Sequence, residues 1–507
     1  VLVTSFTRAA AAELVGRDLP ISRNNIGTLH AHCFRALGNP ELAEGKIPEW
    51  SKEHPTLALT GGATSMDESV VDQTYGNAGD APYGEMQRMR ARMVARRLWK
   101  PAVAMFAEEW DEWKKANGLV DFTDLLELAL RDIHVAPNNP AVLICDEAQD
   151  FSKLQLSILR QWGRHTDYML VAGDEDQLLY DFAGCSVEAF LQPPVPEDHK
   201  RVLSQSYRVP RAIHARANAW IKTVSVREPK EYLPRNYDGD VAVCDKSWEK
   251  PDHVLADADR YIGAGKTVMF LASCSYMLEP MRKALRAAGV PFHNPYRRAR
   301  GDWNPLNVKG TSMASRILAF MRPREDVWGR HAGEWTGEEL RKWVEIVKAD
   351  GLLARGAKTA VGKMAPDEVV GIEVLDRIFE PGAAEEMLQV LTEGTVPACM
   401  DWLTRRVISA KEKAIEYPAN VLTMRGPSGL IETPKVILGT IHSVKGGEAD
   451  CVYLFPDLSR AAGNEWARGG ESRDNIVRQM YVGITRARET LVLCEPATKA
   501  STFYAPL

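Results

Sequence analysis

The chain has 507 residues, 45% of them hydrophobic and 26% charged, with a formal net charge of −5. This is ordinary globular composition, enough for about three or four domains, and it excludes a disordered or fibrous protein. The longest apolar runs are strand-sized, which excludes a membrane-spanning helix, and eight scattered cysteines without Cys-x-x-Cys spacing point to a reducing compartment without a disulfide framework or structural zinc.

Val1, Leu2 and Val3 form an apolar run followed by Thr4 and Ser5, with neither an initiating Met nor a signal-peptide pattern, so the sequence is expected to begin inside a domain. Residues 38–120 start loop-like and then turn helical and basic around Arg88, Arg90, Arg92, Arg96, Arg97 and Lys100. Short β-rich runs at 141–145 and 168–172 each end on a polar cluster, and further runs stand at 267–271, 436–438, 451–455 and 491–494. Runs of this kind alternating with helical patterns read as buried parallel strands of an α/β fold, whose ligands bind beyond the strands' carboxyl ends. They form two groups, before and after about residue 200, which predicts two α/β lobes. Residues 311–428 are mostly helical, with Trp328, Trp335 and Trp343, and read like 38–120 as an insertion.

The first polar cluster is Asp146-Glu147-Ala148-Gln149-Asp150. Adjacent carboxylates at a strand end suit phosphoryl transfer, one holding Mg²⁺ and the next orienting and deprotonating a water. The same residues also suit the start of a helix, where Asp and Glu are favoured. The second cluster, Gly173-Asp174-Glu175-Asp176-Gln177, adds in Gln177 a neutral donor for a terminal phosphate. Tyr180 and Phe182 follow; on a loop they are stacking platforms for bases, and beneath it they are core. Gly263-Ala264-Gly265-Lys266-Thr267 imitates a phosphate-binding loop, but Arg260 stands where its first glycine belongs and the run precedes a strand. It reads as a helix end and turn.

Residues 142–157 (VLICDEAQDFSKLQLS) and 173–184 (GDEDQLLYDFAG) resemble the second and third motifs of superfamily 1 DNA helicases of the UvrD/Rep type. Further blocks follow in that family's order: 4–14 (TSFTRAAAAEL), 27–37 (GTLHAHCFRAL), 121–126 (DFTDLL), 203–218 (LSQSYRVPRAIHARAN), 439–450 (GTIHSVKGGEAD) and 479–488 (QMYVGITRAR). An ordered series of this length is far more specific than any single motif. The resemblance implies two RecA-like P-loop NTPase-type lobes with parallel sheets, each carrying a mainly helical insertion. The lobes would comprise 1–37 with 121–200, and 201–310 with 429–507; the insertions would be 38–120 and 311–428.

It also implies roles. Asp146 would hold Mg²⁺, Glu147 would be the general base, and Gln177, Arg208 and Arg486 would reach the γ-phosphate of ATP. Tyr207 would stack on adenine and Glu448 would accept from the ribose. Phe6, Tyr180 and Phe182 would stack on bases, and Thr7, His30 and His442 would meet the sugar-phosphate backbone. The implied protein is a cytoplasmic, nucleoid-associated ATP-dependent helicase in DNA repair or replication. It would act on single-stranded DNA and single/double-strand junctions, moving 3′→5′ without a membrane. The alternative is a non-catalytic DNA-binding or scaffolding protein derived from a helicase, which would have no physical need for a γ-phosphate clamp.

Several positions depart from the family pattern. The phosphate loop is expected before Thr4, so these 507 residues alone are expected to bind ATP poorly and not turn over. Ala183 replaces an arginine, Phe182 a tryptophan, Gly447 a leucine, and Arg8-Ala9 an Asn-Lys pair.

Overall fold

The computed structural model describes residues 1–6, 8–17, 19–60, 76–297, 303–306, 310–497 and 503–507. Four short strands, β1 (Leu2–Ser5), β2 (Ile26–Thr28), β3 (Val142–Asp146) and β4 (Tyr168–Val171), form a parallel sheet in the order β2-β1-β3-β4. The register sets Ser5 beside both Thr28 and Asp146. The polar ends of three strands therefore share one edge of the sheet, where such folds place their ligands.

Next come β5 (Gln205–Pro210) and β6 (Leu233–Arg235), a parallel pair, then β7 (Asp240–Cys244), β8 (Val268–Ala272) and β9 (Phe292–His293). After a long helical segment follow β10 (Val436–Thr440), β11 (Ala449–Leu454), β12 (Asp457–Leu458), β13 (Ala487–Cys494) and β14 (Phe503–Tyr504). The second sheet is all parallel in the order β7-β13-β11-β8-β10-β9, while β12 and β14 pair antiparallel. The chain is thus mixed α/β with two parallel sheets, consistent with RecA-like helicase lobes.

Strand periodicity divides the second lobe into two cores, because successive side chains point to opposite faces. Val268, Phe270 and Ala272 of β8 face a core shared with Trp335, Trp343 and Leu403 of the helical segment 311–428. Met269 and Leu271 face the other, shared with Ile213 of the helix Arg211–Ile221 and with Val477 and Met480 of the helix Gly470–Ile484. Leu178, Leu179 and Tyr180, just after β4, belong to that second core, so the two lobes are packed into each other there.

Within 38–120 the helices Asp80–Ala91 and Pro101–Asn117 enclose Trp50, Phe106, Trp110 and Trp113. The latter helix ends on Gly118 in the left-handed region, and Asp121 then caps the helix Phe122–Asp132 reciprocally with Asp124. Buried Arg90 donates to both Asp121 oxygens at 3.1 and 2.9 Å, and Lys114 reaches Asp121 at 2.8 Å. The basic run of this segment is therefore partly internal, and Arg90 ties the segment to the first lobe.

The run 168–172 differs from its reading as a buried strand. Tyr168 is 68% exposed and Leu170 and Val171 are also exposed, because β4 is the edge of its sheet among the described residues. The run at 263–267 is a helix end and turn: the helix Pro251–Gly263 stops, Gly265 takes φ +75, β8 follows, and Lys266 pairs with Glu489. No helix among the described residues is long and apolar enough to cross a membrane.

Candidate functional site

Glu147 follows β3 directly in the left-handed region, at φ 53 and ψ 40. A non-glycine residue there costs on the order of 1–3 kcal/mol and persists where its surroundings hold it. Here the turn aims the Glu147 carboxylate at the second lobe. Lys445, in the turn between β10 and β11, meets Glu147 at 3.2 Å, pairs with Asp150, and donates to the Gln177 carbonyl at 3.0 Å. Burial disfavours the charge on Glu147, but Lys445, with Gln149 and Arg486, holds the carboxyl below its ordinary range. Asp150 is deeper, and burial pushes its carboxyl up to about 6 despite Lys445.

The two acidic clusters are stitched together. Gln149 donates to Glu147 at 2.7 Å and accepts from the Asp174 N–H at 3.1 Å. A Cβ on Gly173 would lie 2.7 Å from that Gln149 oxygen, so glycine is what permits the approach. Gln177 donates to Asp174 at 2.7 Å, and its amide oxygen accepts from Arg486 at 3.3 Å. Arg486, at the end of the helix Gly470–Ile484, is fully buried and donates to the carbonyls of Val482 at 2.9 Å and Gly447 at 3.3 Å. Burial, then the neighbouring charge of Arg208, pulls its guanidinium down to about 9, still protonated at neutral pH.

Arg208 is held by Glu448 at 3.1 Å, and Glu448 also meets Arg488 at 3.2 Å. Tyr207 is 86% exposed on β5, its ring open to a flat ligand. Gly447 has a local cause: a Cβ there would lie 2.4 Å from the Tyr296 ring, which fills the space a leucine would need. Among the described residues no group of three or more His, Cys, Asp or Glu could hold a metal. A cation beside Asp146 would draw its other ligands from phosphate and water, which is how Mg²⁺ is usually bound.

The aromatic candidates separate by exposure. Phe6 packs 4.8 Å from Tyr180, centroid to centroid, and Tyr180 lies 5.8 Å from Phe182. Tyr180 is only 2% exposed, beneath the loop, whereas Phe182 is 42% exposed. His442 is buried 6.0 Å from both rings. Its Nε2–H donates to the Leu179 carbonyl at 3.2 Å, leaving Nδ1 to accept from Gln479 at 3.3 Å. Burial lowers its pKa to about 4, so the ring is neutral. His30 is half-buried at the start of the helix Leu29–Ala36, edge-on to Phe122. Thr7 lies outside the described residues.

The structure thus gathers Glu147, Gln177, Arg486 and Arg208 at one interlobe contact, with Phe6, Tyr180, Phe182 and His442 in a second group at the same interface. Sequence reasoning passed over Lys445, although it stands inside a quoted block, and Arg227 and Lys230, which lie outside every block. A signal was available: buried carboxylates need cations, and two acidic clusters at strand ends demanded several.

Residues 1–194 match the family described as UvrD/REP helicase N-terminal domain. Over 97% of its length the chain is 21% identical to the "Probable DNA helicase II homolog" of Mycoplasma capricolum subsp. capricolum, covering 77% of that protein. It is 25% identical to "ATP-dependent DNA helicase UvrD2" of Mycobacterium tuberculosis, over 97% of this chain and 71% of the relative. With "ATP-dependent DNA helicase PcrA" of Staphylococcus aureus it shares 29% identity over 76% of this chain and 60% of the relative. These matches support a UvrD-type, ATP-dependent DNA helicase.

Proposed function

We propose that the cleft between the two parallel sheets hydrolyses ATP with Mg²⁺, and that the cycle drives the protein 3′→5′ along single-stranded DNA crossing the exposed Phe182, which Phe6, Tyr180 and His442 support from beneath. The observation that carries this reading is convergence. A carboxylate and an amide from the first lobe (Glu147, Gln177) meet an arginine and a lysine from the second (Arg486, Lys445) across one surface. Bound ATP and Mg²⁺ supply the phosphoryl group and its counter-charge. Glu147, kept ionised, accepts the proton of a water it orients; Arg486 and Arg208 stabilise spread negative charge; Asp146 is the carboxylate placed to hold the metal. Tyr207 and Glu448 serve the base and ribose, and Thr7 and His30 belong to the DNA side.

Residues from two lobes act together only when the lobes are closed, so hydrolysis gates a hinge motion that moves DNA. The domain limits we assign are 1–37 with 121–200, 201–310 with 429–507, and helical insertions between. Arg486→Ala should lower the ATPase rate at saturating single-stranded DNA by about 10³-fold or more, with little change in DNA affinity. Lys266→Ala, in the false phosphate loop, should leave the rate unaltered. A silent Arg486→Ala with an inactive Lys266→Ala would place the nucleotide elsewhere.

A further inference from the structure

The acidic run after β4 is clasped by a loop between β5 and β6 that no motif reading singles out. Lys230 pairs with Asp174 and meets Glu175 at 2.9 Å and Asp176 at 3.1 Å. Arg227 donates to both oxygens of Asp176 at 2.9 Å, and the Glu228 N–H donates to Glu175 at 3.1 Å. Glu175 and Asp176 are buried, so their polar partners are these cations and not water.

The loop is itself anchored to the helix that leads into Arg486. Asp474 accepts from the Ser225 N–H at 2.8 Å, and Arg478 donates to the Val226 carbonyl at 2.6 Å. One second-lobe unit therefore holds Gln177 from both sides, through Arg486 directly and through Lys230 by way of Asp174. The relay has a chemical direction. An ionised carboxylate only accepts, so Asp174 forces the Gln177 NH₂ toward itself and the amide oxygen toward Arg486. Were Asp174 protonated or displaced, only the longer bond from Arg486, at 3.3 Å, would still select the amide oxygen for the cleft. Burial works against the charge on Asp174, but Lys230, together with the Gln177 amide and the Asp176 N–H, holds its carboxyl below the ordinary range.

We propose that Lys230, with Arg227 beside it, is a positioning residue for ATP hydrolysis: from the second lobe it fixes Asp174 and, through Asp174, the orientation of the Gln177 amide. The inference rests on the ATPase reading above and goes beyond it, since both residues spend their contacts on Asp174, Glu175 and Asp176.

The test measures DNA-stimulated hydrolysis in the full-length protein, with rates normalised to the folded fraction. Lys230→Ala should lower kcat by on the order of 10- to 100-fold, as a misplaced catalytic group does, with a much smaller effect on KM for ATP. Lys230→Arg, which keeps the charge, should recover most of the loss. The decisive comparison is with Gln177→Ala. If Lys230 acts through Gln177, the Lys230→Ala/Gln177→Ala double variant is no slower than Gln177→Ala alone. A merely structural lysine would multiply the two losses, and that result, or an unchanged kcat in Lys230→Ala, overturns the inference. Should Lys230→Ala not fold, Asp174→Asn keeps an acceptor for Gln177 but discards the charge that Lys230 meets; it should show the same non-additive loss, and an unchanged kcat there overturns the inference equally. Glu147→Gln separates the two readings. If it leaves hydrolysis intact, the cleft is not the ATPase site; if it abolishes hydrolysis while Lys230→Ala is silent, only the positioning role fails.

Discussion

Replacing Lys445 by Met removes the cation that sits between Asp150 and Glu147. Asp150 is 1% exposed and would keep only neutral donors, the Leu179 N–H at 3.1 Å and the Gln149 amide at 3.4 Å. Breaking a buried pair by deleting one partner costs about 3–5 kcal/mol, because the charge left behind is uncompensated. The loss should depend on pH. Burial has already raised Asp150 to about 6 from an ordinary 3.8, with Lys445 restraining the rise, so without Lys445 the carboxyl climbs further. A folded pKa above the unfolded one means that the folded state holds the proton longer, so stability falls as pH rises from 3.8 through the folded value. At about pH 5 both proteins keep Asp150 mostly protonated and the variant loses little through it. At about pH 8 the parent has an ionised Asp150 beside Lys445 and the variant does not, which opens a deficit of about 3 kcal/mol. Glu147 is more than a third exposed on its side chain and adds less. Urea-unfolding midpoints at the two pH values read this out, and Lys445→Met/Asp150→Asn should recover most of the deficit. A deficit equal at both pH values, or one that Asp150→Asn does not relieve, would refute the reasoning.

Two further outcomes follow from exposure and burial. Phe182→Ala should weaken single-stranded DNA binding by about 1–3 kcal/mol with little sequence preference, measured by fluorescence anisotropy, whereas unchanged affinity would remove Phe182 from the DNA path. Tyr180→Ala should instead lower the melting temperature, a buried aromatic being worth about 3–5 kcal/mol on truncation. His442 is held down to about 4 from 6.5 mainly by burial. Above 6.5 it is neutral folded and unfolded; as pH falls toward 4 only the unfolded chain takes the proton, so on the order of 3 kcal/mol of stability is lost across that window. His442→Asn should flatten this acid slope in thermal melts, and an identical slope would assign it to other groups.

The α/β class was legible because the strands carry it locally. Runs such as 436–438 and 491–494 are β-branched or apolar and end on polar residues, and the structure extends them to β10 and β13. Some strands that escaped are short or broken by special residues: β2 has three residues with Gly27 at its centre, and β5 ends on Pro210; β7, with five residues, is neither. Which aromatic after β4 is open to solvent was not legible. Tyr180 and Phe182 are two residues apart in the same loop and equally far from His442, and it is Tyr180 that packs against Phe6. The clasp at 227–230 was invisible for a related reason. A lysine on a polar connection looks like any surface charge until the fold sets three carboxylates around it.

The interlobe surface is polarised in charge. Glu147, Asp150, Asp174, Glu175 and Asp176 come from the first lobe; Lys445, Arg227, Lys230 and Arg486 come from the second. The contacts are nonetheless unequal. Lys445 with Asp150, and Arg227 with Asp176, are buried charge–charge pairs, while Arg486 meets Gln177 through a neutral amide at 3.3 Å. With only its donor charged, the Arg486 to Gln177 bond is weaker than either ion pair. A terminal phosphate is a better partner for a buried guanidinium than an amide oxygen is. An anion entering there would exchange this contact for a stronger one and leave the clasp at 227–230 closed. In that arrangement the lobes would respond to phosphate by adjusting about the clasp, so that Gln177, held on one side by Asp174 and released on the other by Arg486, is the residue whose bonding changes most with the nucleotide.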